Sequence, residues 1–216
     1  MTRLMIIRHG EAVCNVEDIV GGRTGCQGLT ERGHAQVRRL ADRLRAEEAR
    51  ADALYASPLR RAQETALAVG EALGLPVRWE DDFEEIRPGE ADGLPGSVAR
   101  ERYLRADRDA LYDPFSPGGE SIVQFFGRVG AALARVIRRH AGQRVVIVAH
   151  GGIIEASFYY FLQLAPTTVR SAGLLIDHTS ITEWRQGDPA DRRWYLARFN
   201  DTAHLARASQ AATEEA

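Results

Sequence analysis

The segment Leu4-Met5-Ile6-Ile7-Arg8-His9-Gly10 begins as an apolar run and ends in two basic side chains and a glycine. This composition predicts a strand buried on both faces, with Arg8 and His9 at its carboxyl end. A second segment, Val145-Val146-Ile147-Val148-Ala149-His150-Gly151-Gly152, has the same form far along the chain. Because ligands of parallel sheets bind outside the carboxyl ends of strands, neighbouring strands would bring His9 and His150 to one pocket.

Helix and strand patterns alternate along the rest of the chain. Ser57 and Pro58 have the residue types of an N-cap and a first helical position. Short apolar runs indicate further strands at residues 53–56, 77–79, 172–176, 179–184 and 194–199. The alternation predicts an α/β protein, a three-layer α/β/α sandwich with a mostly parallel sheet and an antiparallel edge strand.

One domain of residues 1–206 is expected from a chain of 216 residues. Residues 81–119 interrupt the alternation with acids, proline, glycine and a charged helix-like piece at 97–108. We interpret them as a cap-like insertion over the carboxyl edge of the sheet, with a solvated, salt-bridged helix as the alternative. Residues 207–216, rich in Ala, Ser and Glu, are expected to be disordered.

The composition excludes several classes of function. A net charge of −2 gives no electrostatic case for nucleic acid or membrane partners. All 28 basic residues are arginine, which excludes a P-loop lysine and a Schiff-base lysine. With only Cys14 and Cys26 and no signal-peptide pattern, we expect a cytoplasmic protein without a disulfide. Cys14 is interpreted as a small buried hydrophobe.

Four polar features follow predicted strands and would meet at one edge of the sheet: Arg8-His9, Arg60, Glu85 and His150. Arginine forks match phosphate oxygens, and the N-terminus of the helix that carries Arg60 would add positive potential. The neighbouring Arg61 is interpreted as a solvent-facing or supporting residue. The sequence therefore predicts an anion site with one acid beside it.

Ordered motifs give residues 3–200 a resemblance to the histidine phosphatase superfamily, the phosphoglycerate mutase-like group. The matching pieces are Arg8-His9-Gly10-Glu11 with Asn15, residues 28–33 with Gln36, residues 57–66, Glu85-Ile86 with Gly89 and Gly93, residues 118–121, and His150-Gly151-Gly152. The resemblance implies a metal-independent phosphomonoesterase that acts on a small phosphorylated metabolite and needs no cofactor.

The resemblance also implies roles for individual residues. His9 would form a phosphohistidine, its other ring nitrogen donating to a carbonyl near Gly10. Glu85, which directly precedes an isoleucine as the family pattern requires, would act as general acid and then base. The groups expected to hold the phosphoryl oxygens or the rest of the substrate are Arg8, Arg60, His150, Asn15, Gly151 and Arg23.

Three alternatives stay open at this point. A mutase of the same family would carry a longer stretch around its acid than this chain has between Glu85 and Gly93. A metallohydrolase could use His9, His150 and His178 with a carboxylate, although no compact motif such as His-Glu-x-x-His is present. A non-catalytic phosphate-binding module is the third, and a homodimer through a sheet edge is also left open.

Overall fold

The computed structural model describes residues 1–104, 109, 111–166, 173–188 and 193–206. Within them one six-stranded sheet has the order β3-β2-β4-β1-β5-β6. The strands are β1 (Arg3–Arg8), β2 (Ala53–Ala56), β3 (Val77–Trp79), β4 (Arg144–Ala149), β5 (Ile181–Gln186) and β6 (Trp194–Asp201). Strands β1 to β4 pair in parallel, and β5 and β6 are antiparallel. The predicted mostly parallel sheet with an antiparallel edge is confirmed.

Helices cover both faces of this sheet. They are α1 (Val13–Val16), α2 (Glu31–Ala46), α3 (Arg60–Leu73), α4 (Gly96–Tyr103), α5 (Ile122–Arg139) and α6 (Gly151–Leu162), with short 3₁₀ turns at Asp81–Phe83 and Gly89–Ala91. Among the described helices, none has the length and apolar character needed to cross a membrane.

The two faces of the sheet bury separate apolar clusters. Leu4 and Ile6 of β1 pack with residues of α5 and α6, whereas Ile7 packs with residues of α2 and α3. Since successive strand residues point to opposite faces, a strand buried on both sides must be apolar at every position. This burial explains the continuous apolar runs and gives the predicted three layers.

Several predicted boundaries are wrong. Helix α3 starts at Arg60 instead of Pro58, because the Ser57 hydroxyl contacts His150 Nε2 at 2.8 Å and Leu59 is the N-cap residue. No strand forms in residues 173–176, and residue 172 of that predicted strand lies outside the described residues. The predicted helical piece at 97–108 is α4, which ends at Tyr103. Residues 105–108 and 207–216 lie outside the described part.

Residues of the predicted insertion pack against the loop that follows α1. Ile19 and Pro95 form an isolated antiparallel bridge, and Val20 N–H donates to Leu94 O at 2.9 Å. Ala99 of α4 is buried, so this helix has one packed face and is not fully solvated. A cap over the sheet edge stays a prediction.

Candidate active site

Two histidines meet at the carboxyl edge of the sheet. β1 and β4 are parallel neighbours with Arg8 opposite Ala149, so His9 and His150 follow at the same level. Their ring centroids lie 5.1 Å apart in an edge-on arrangement, and both rings are buried. The expectation that neighbouring strands bring these imidazoles together is confirmed.

The ring of His9 is held in one tautomer. Its Nδ1 lies 2.6 Å from Gly10 O, and because a carbonyl can only accept, Nδ1 must carry the hydrogen. Nε2 therefore presents a lone pair, and it accepts from Arg61 Nε at 3.1 Å. Burial, reinforced by the charges of Arg61 and Arg8, holds the pKa of His9 well below its usual value. His9 is thus a neutral imidazole whose Nε2 lone pair faces Arg61.

Arg61, and not Arg60, is the arginine of this site. The Arg60 side chain is 64% exposed and pairs with Glu64 one helical turn away at 2.9 Å. Arg61 is 4% exposed, and its Nη1 donates to Gly21 O at 2.7 Å while its Nε donates to His9. Consecutive helical residues point about 100° apart, so only one of the pair can face inward. The placement of Arg60 in the pocket is therefore wrong.

A signal for Arg61 was present in the sequence. Arg61 stands four residues before Thr65, on the stripe of α3 whose members are buried. Thr65 joins the helix to the first strand's loop, because its hydroxyl accepts from Gly10 N–H at 3.1 Å and donates to Arg61 O at 2.9 Å. Arg60 and Glu64 form an ion pair at i, i+4 spacing, which is typical of an exposed helix face.

Arg8 brings a second, partly buried guanidinium to the site. Its Nη1 donates to Ile176 O, and its Nε is buried without a hydrogen-bond partner among the described residues. Burial lowers the pKa of Arg8, while the charges of Glu85 and Asp177 raise it. Because an arginine side chain does not deprotonate in proteins, it supplies a fixed positive charge next to the two histidines.

His150 is oriented by Ser57. Its Nε2 lies 2.8 Å from the Ser57 hydroxyl oxygen, and its Nδ1 is buried without a partner among the described residues. Burial, with the charges of Arg61, His9 and Arg8, holds the pKa of His150 well below its usual value. A second neutral imidazole therefore stands beside His9. The role of Ser57 was missed, because a Ser-Pro pair is also the usual start of a helix.

Two adjacent acids are used differently. The Glu84 side chain is 3% exposed and bonds Arg23 Nε at 2.5 Å and Arg87 Nε at 2.9 Å. Glu85 Oε2 accepts the N–H of Gly152 at 3.0 Å. A β-carbon at position 152 would lie 2.2 Å from Glu85 Oε1, so only glycine permits this approach. The structure thus places Glu85, and not Glu84, in the lining of the cavity beside His9, and its role as the acid stays a prediction.

A cavity of about 340 Å³, a size suited to a small ligand, adjoins His9 and Glu85, whereas His150 is not among the described residues that line it. Its lining includes Arg8, His9, Arg61, Glu85, Asn15 and Gly151. The structure therefore places the expected residues Asn15 and Gly151 at the cavity. Its lining also includes the apolar side chains of Ile19, Val20 and Phe115. Arg23 lies in an adjoining depression and is tied to Glu84 and Asp81, so the structure does not bring it to the cavity.

Two further histidines differ in position. The ring of His178 lies 5.7 Å from that of His9, and burial together with Arg8 lowers its pKa to about 4. His204 contacts the Thr179 hydroxyl at 2.9 Å and belongs to a separate cluster with Arg43. Within the described ranges, no group of three or more His, Cys, Asp or Glu side chains is arranged to hold a metal ion.

The chain is similar to a set of known proteins along nearly its whole length. The model of the histidine phosphatase superfamily, branch 1, matches residues 4–202. Phosphoserine phosphatase 1 of Hydrogenobacter thermophilus is 32% identical over 210 residues, covering 95% of each chain. The metal-independent phosphoserine phosphatase of Arabidopsis thaliana is 31% identical over 211 residues, covering 95% of this chain and 84% of the relative. The solved structure of Bacillus stearothermophilus YhfR has a TM-score of 0.80 at 28% identity, covering 95% of this chain and all of the other.

Proposed function

Because the chain belongs to branch 1 of the histidine phosphatase superfamily and is a phosphoric monoester hydrolase, we propose that it hydrolyses a small phosphorylated metabolite through a phosphohistidine on His9. The observation that carries the proposal is the fixed, neutral imidazole of His9 with its Nε2 against a buried arginine. Positive charge for the phosphoryl group comes from Arg8 and Arg61, so no metal is required.

In the first step the phosphoryl oxygens accept hydrogen bonds from the N–H groups of Arg61. Arg61 Nε then no longer donates to His9, and the Nε2 lone pair of His9 is free. Nε2 attacks phosphorus in line with the leaving oxygen, so the P–N bond forms as the P–O bond breaks. Arg8 and Arg61 stabilise charge on the equatorial oxygens, and His150 stands beside them. Glu85 gives its proton to the leaving oxygen.

In the second step water replaces the departed alcohol or acid. Glu85 accepts a proton from this water as its oxygen attacks phosphorus, and the P–N bond breaks to restore neutral His9. The Gly152 N–H that binds Glu85 keeps the carboxyl group in place for both transfers. One residue, Glu85, therefore acts as the acid in the first step and as the base in the second.

Glu85→Gln is expected to lower kcat by roughly 10²–10⁴-fold for phosphoserine, whose alkoxide leaving group needs a proton. The loss should be much smaller for p-nitrophenyl phosphate, because nitrophenolate leaves without one. Measuring kcat for both substrates in both enzymes checks the difference. Glu84→Gln serves as the control and should affect the two substrates equally, and equal losses in Glu85→Gln would contradict the acid role.

Phosphate release in excess EDTA tests the proposed function as a whole. The relatives make phosphoserine the first substrate to try, with 3-phosphoglycerate and p-nitrophenyl phosphate beside it. We expect turnover to persist in EDTA and to be inhibited by vanadate, which mimics the five-coordinate phosphorus. Activity that is lost in EDTA and restored by zinc would favour a metallohydrolase. Formation of 2-phosphoglycerate faster than phosphate release would favour a mutase.

The buried histidines predict how stability depends on pH. In the folded chain the pKa values of His9 and His150 lie well below the usual value of about 6.5 that they regain on unfolding. The unfolded chain therefore binds more protons as the pH falls, and stability that is complete above about pH 6.5 decreases below it. Each histidine can contribute a slope of up to about 1.4 kcal/mol per pH unit.

Urea unfolding at a series of pH values between 7.5 and 5 measures this slope. We expect the free energy of unfolding to fall with pH in the wild type and to fall less steeply in His9→Ala, which lacks one buried imidazole. A slope unchanged by the substitution would show that His9 titrates alike in the folded and unfolded chains.

A further inference from the structure

The segment that carries Glu85 has no helix or strand of its own to hold it. Residues 84–88 lie between the 3₁₀ turns Asp81–Phe83 and Gly89–Ala91 and belong to neither. Glu85 contacts Gly152 through its carboxyl group, and this contact fixes only the end of the side chain. Because a general acid must be held within hydrogen-bonding reach of the leaving oxygen, the backbone of this segment needs a fixed position as well.

One arginine of α5 binds this backbone. The side chain of Arg128 is 9% exposed and faces the segment. Its Nη1 donates to Asp82 O at 2.8 Å and to Glu84 O at 3.1 Å, and its Nη2 donates to Glu85 O at 3.3 Å. A single guanidinium therefore holds carbonyl oxygens that lead up to, and include, the residue proposed as the acid.

Glu120 binds the remaining N–H groups of Arg128. Its carboxylate oxygens accept from Arg128 Nε at 2.7 Å and from Arg128 Nη2 at 2.6 Å, and its side chain is 13% exposed. With these bonds all five N–H groups of the guanidinium have partners. A bidentate pair of this kind fixes the plane of the guanidinium as well as its position. Arg128 is therefore held in the orientation in which it binds the segment.

Glu120 also binds the segment on the far side of Glu85. Its Oε2 accepts the N–H of Arg87 at 2.9 Å, and its own N–H donates to Arg87 O at 2.9 Å. Burial raises the pKa of Glu120, but the hydrogen bonds from Arg128 and from the Arg87 N–H outweigh this effect and lower the pKa. Although Glu120 lines the cavity, it is an occupied acceptor and not a second proton donor.

We propose that Arg128, with Glu120 as its partner, is a positioning residue that holds the backbone of Glu85 so that the carboxyl group reaches the leaving oxygen. The inference rests on the proposed function, because it takes Glu85 to be the acid. Replacing a buried ion pair by apolar residues of similar volume is often neutral or stabilising, so stability alone does not account for this pair. Its contacts on both sides of Glu85 give it a role in orientation.

A positioning role for the acid should be visible in how the rate depends on the leaving group. Phenyl phosphate and p-nitrophenyl phosphate have nearly the same shape, but phenol has a pKa near that of tyrosine, about 10, whereas nitrophenolate leaves without a proton. The value of kcat/KM covers the steps up to the first phosphoryl transfer, so it excludes the hydrolysis of phosphohistidine that both substrates share. The ratio of the two kcat/KM values therefore reports on the acid.

Arg128→Lys tests the proposal in the full chain. Lysine keeps a positive charge beside Glu120 but lacks the planar fork that reaches several carbonyl oxygens together. We expect kcat/KM for phenyl phosphate to fall about a hundredfold, the effect of a displacement of about 1 Å at a catalytic group, and kcat/KM for p-nitrophenyl phosphate to fall far less. Added to Glu85→Gln, the same substitution should leave the ratio of the two values unchanged, because no acid remains to be positioned.

Arg135→Lys is the matched control. Arg135 lies on the same helix and binds the side chains of Glu80 and Asp82, with its own side chain 45% exposed. Its substitution should leave both kcat/KM values unchanged. Glu120→Gln offers Arg128 one carbonyl oxygen in place of two, so it should shift the ratio in the same direction as Arg128→Lys. This milder variant decides the question if Arg128→Lys does not fold.

Failure of this inference can be told apart from failure of the proposed function. If Glu85→Gln separates the two substrates and Arg128→Lys lowers both equally, only the positioning role is overturned. If Glu85→Gln does not separate them, the acid role fails and the inference fails with it. Amide hydrogen exchange needs no turnover: the peptide over residues 84–88 should exchange faster in Arg128→Lys than in the wild type or Arg135→Lys. Unchanged exchange there would also overturn the inference.

Discussion

His9→Ala is expected to abolish turnover, with kcat at least about 10⁴-fold lower, as when other covalent nucleophiles are removed. The imidazole supplies the only fixed neutral nitrogen that faces both Arg61 and the cavity in the described residues. His150 is not expected to replace it, because its Nε2 contacts Ser57 and, among the described residues, it is not one of those that line the cavity. Steady-state hydrolysis of p-nitrophenyl phosphate measures the loss.

His34→Ala is the matched control for this substitution. His34 lies on α2 with its side chain 49% exposed, so its removal should leave kcat unchanged. Vanadate binding by His9→Ala would show that the cavity still forms. If the folded variant kept more than about a hundredth of wild-type activity, direct attack by water would replace the covalent route.

Arg61→Ala and Arg60→Ala form the sharpest matched pair in the chain. Arg61→Ala should lower kcat/KM by roughly 10²–10³-fold, the effect of removing one donor to a developing oxyanion. Arg60→Ala should leave kcat/KM unchanged and cost about 0.5 kcal/mol of stability or less, since an exposed helix pair contributes little. Parallel kinetics and thermal unfolding of both variants check the assignment.

Arg61→Lys is the control for the case in which Arg61→Ala loses activity because it does not fold. It keeps the positive charge but lacks the planar fork that reaches His9 and Gly21 together, so an intermediate kcat/KM is expected. A larger loss in Arg60→Ala than in either Arg61 variant would return the phosphate-binding role to Arg60.

The carboxyl ends of the buried strands are the features of the site that the sequence predicts best. A strand buried on both faces must be apolar throughout, so the first polar residue after it marks the carboxyl edge, and His9 and His150 could be placed there without coordinates. Glu85 was separable from Glu84 only through the resemblance. The structure gives the physical difference, because Glu84 is held between two arginines and Glu85 contacts Gly152.

The arginine of the site shows where such reasoning fails. An error of one residue in a strand or helix turns a side chain to another face, and the prediction took the first arginine after Ser57-Pro58-Leu59. The buried face of α3 carries Arg61, Thr65 and Val69 at i, i+4 spacing, which indicates that Arg61 faces inward. The spacing of buried residues along a helix therefore predicts which arginine faces inward better than the position of that arginine relative to a motif.

Other contacts could not be predicted because they join distant segments. The approach of Glu85 to Gly152 depends on how the loop after β3 folds over the N-terminus of α6. The contact between Ser57 and His150 joins the residues that follow β2 and β4. Neither contact has a local signature in sequence, since each is set by tertiary packing.

Rapid-quench labelling tests the central claim most directly. The wild-type protein is mixed with a radiolabelled phosphomonoester, stopped in base within the first turnover, and digested for mapping. The account predicts a base-stable, acid-labile phosphoramidate on the peptide that contains His9, absent from His9→Ala. Full turnover with no labelled protein at any quench time, or with label on another residue, would contradict it.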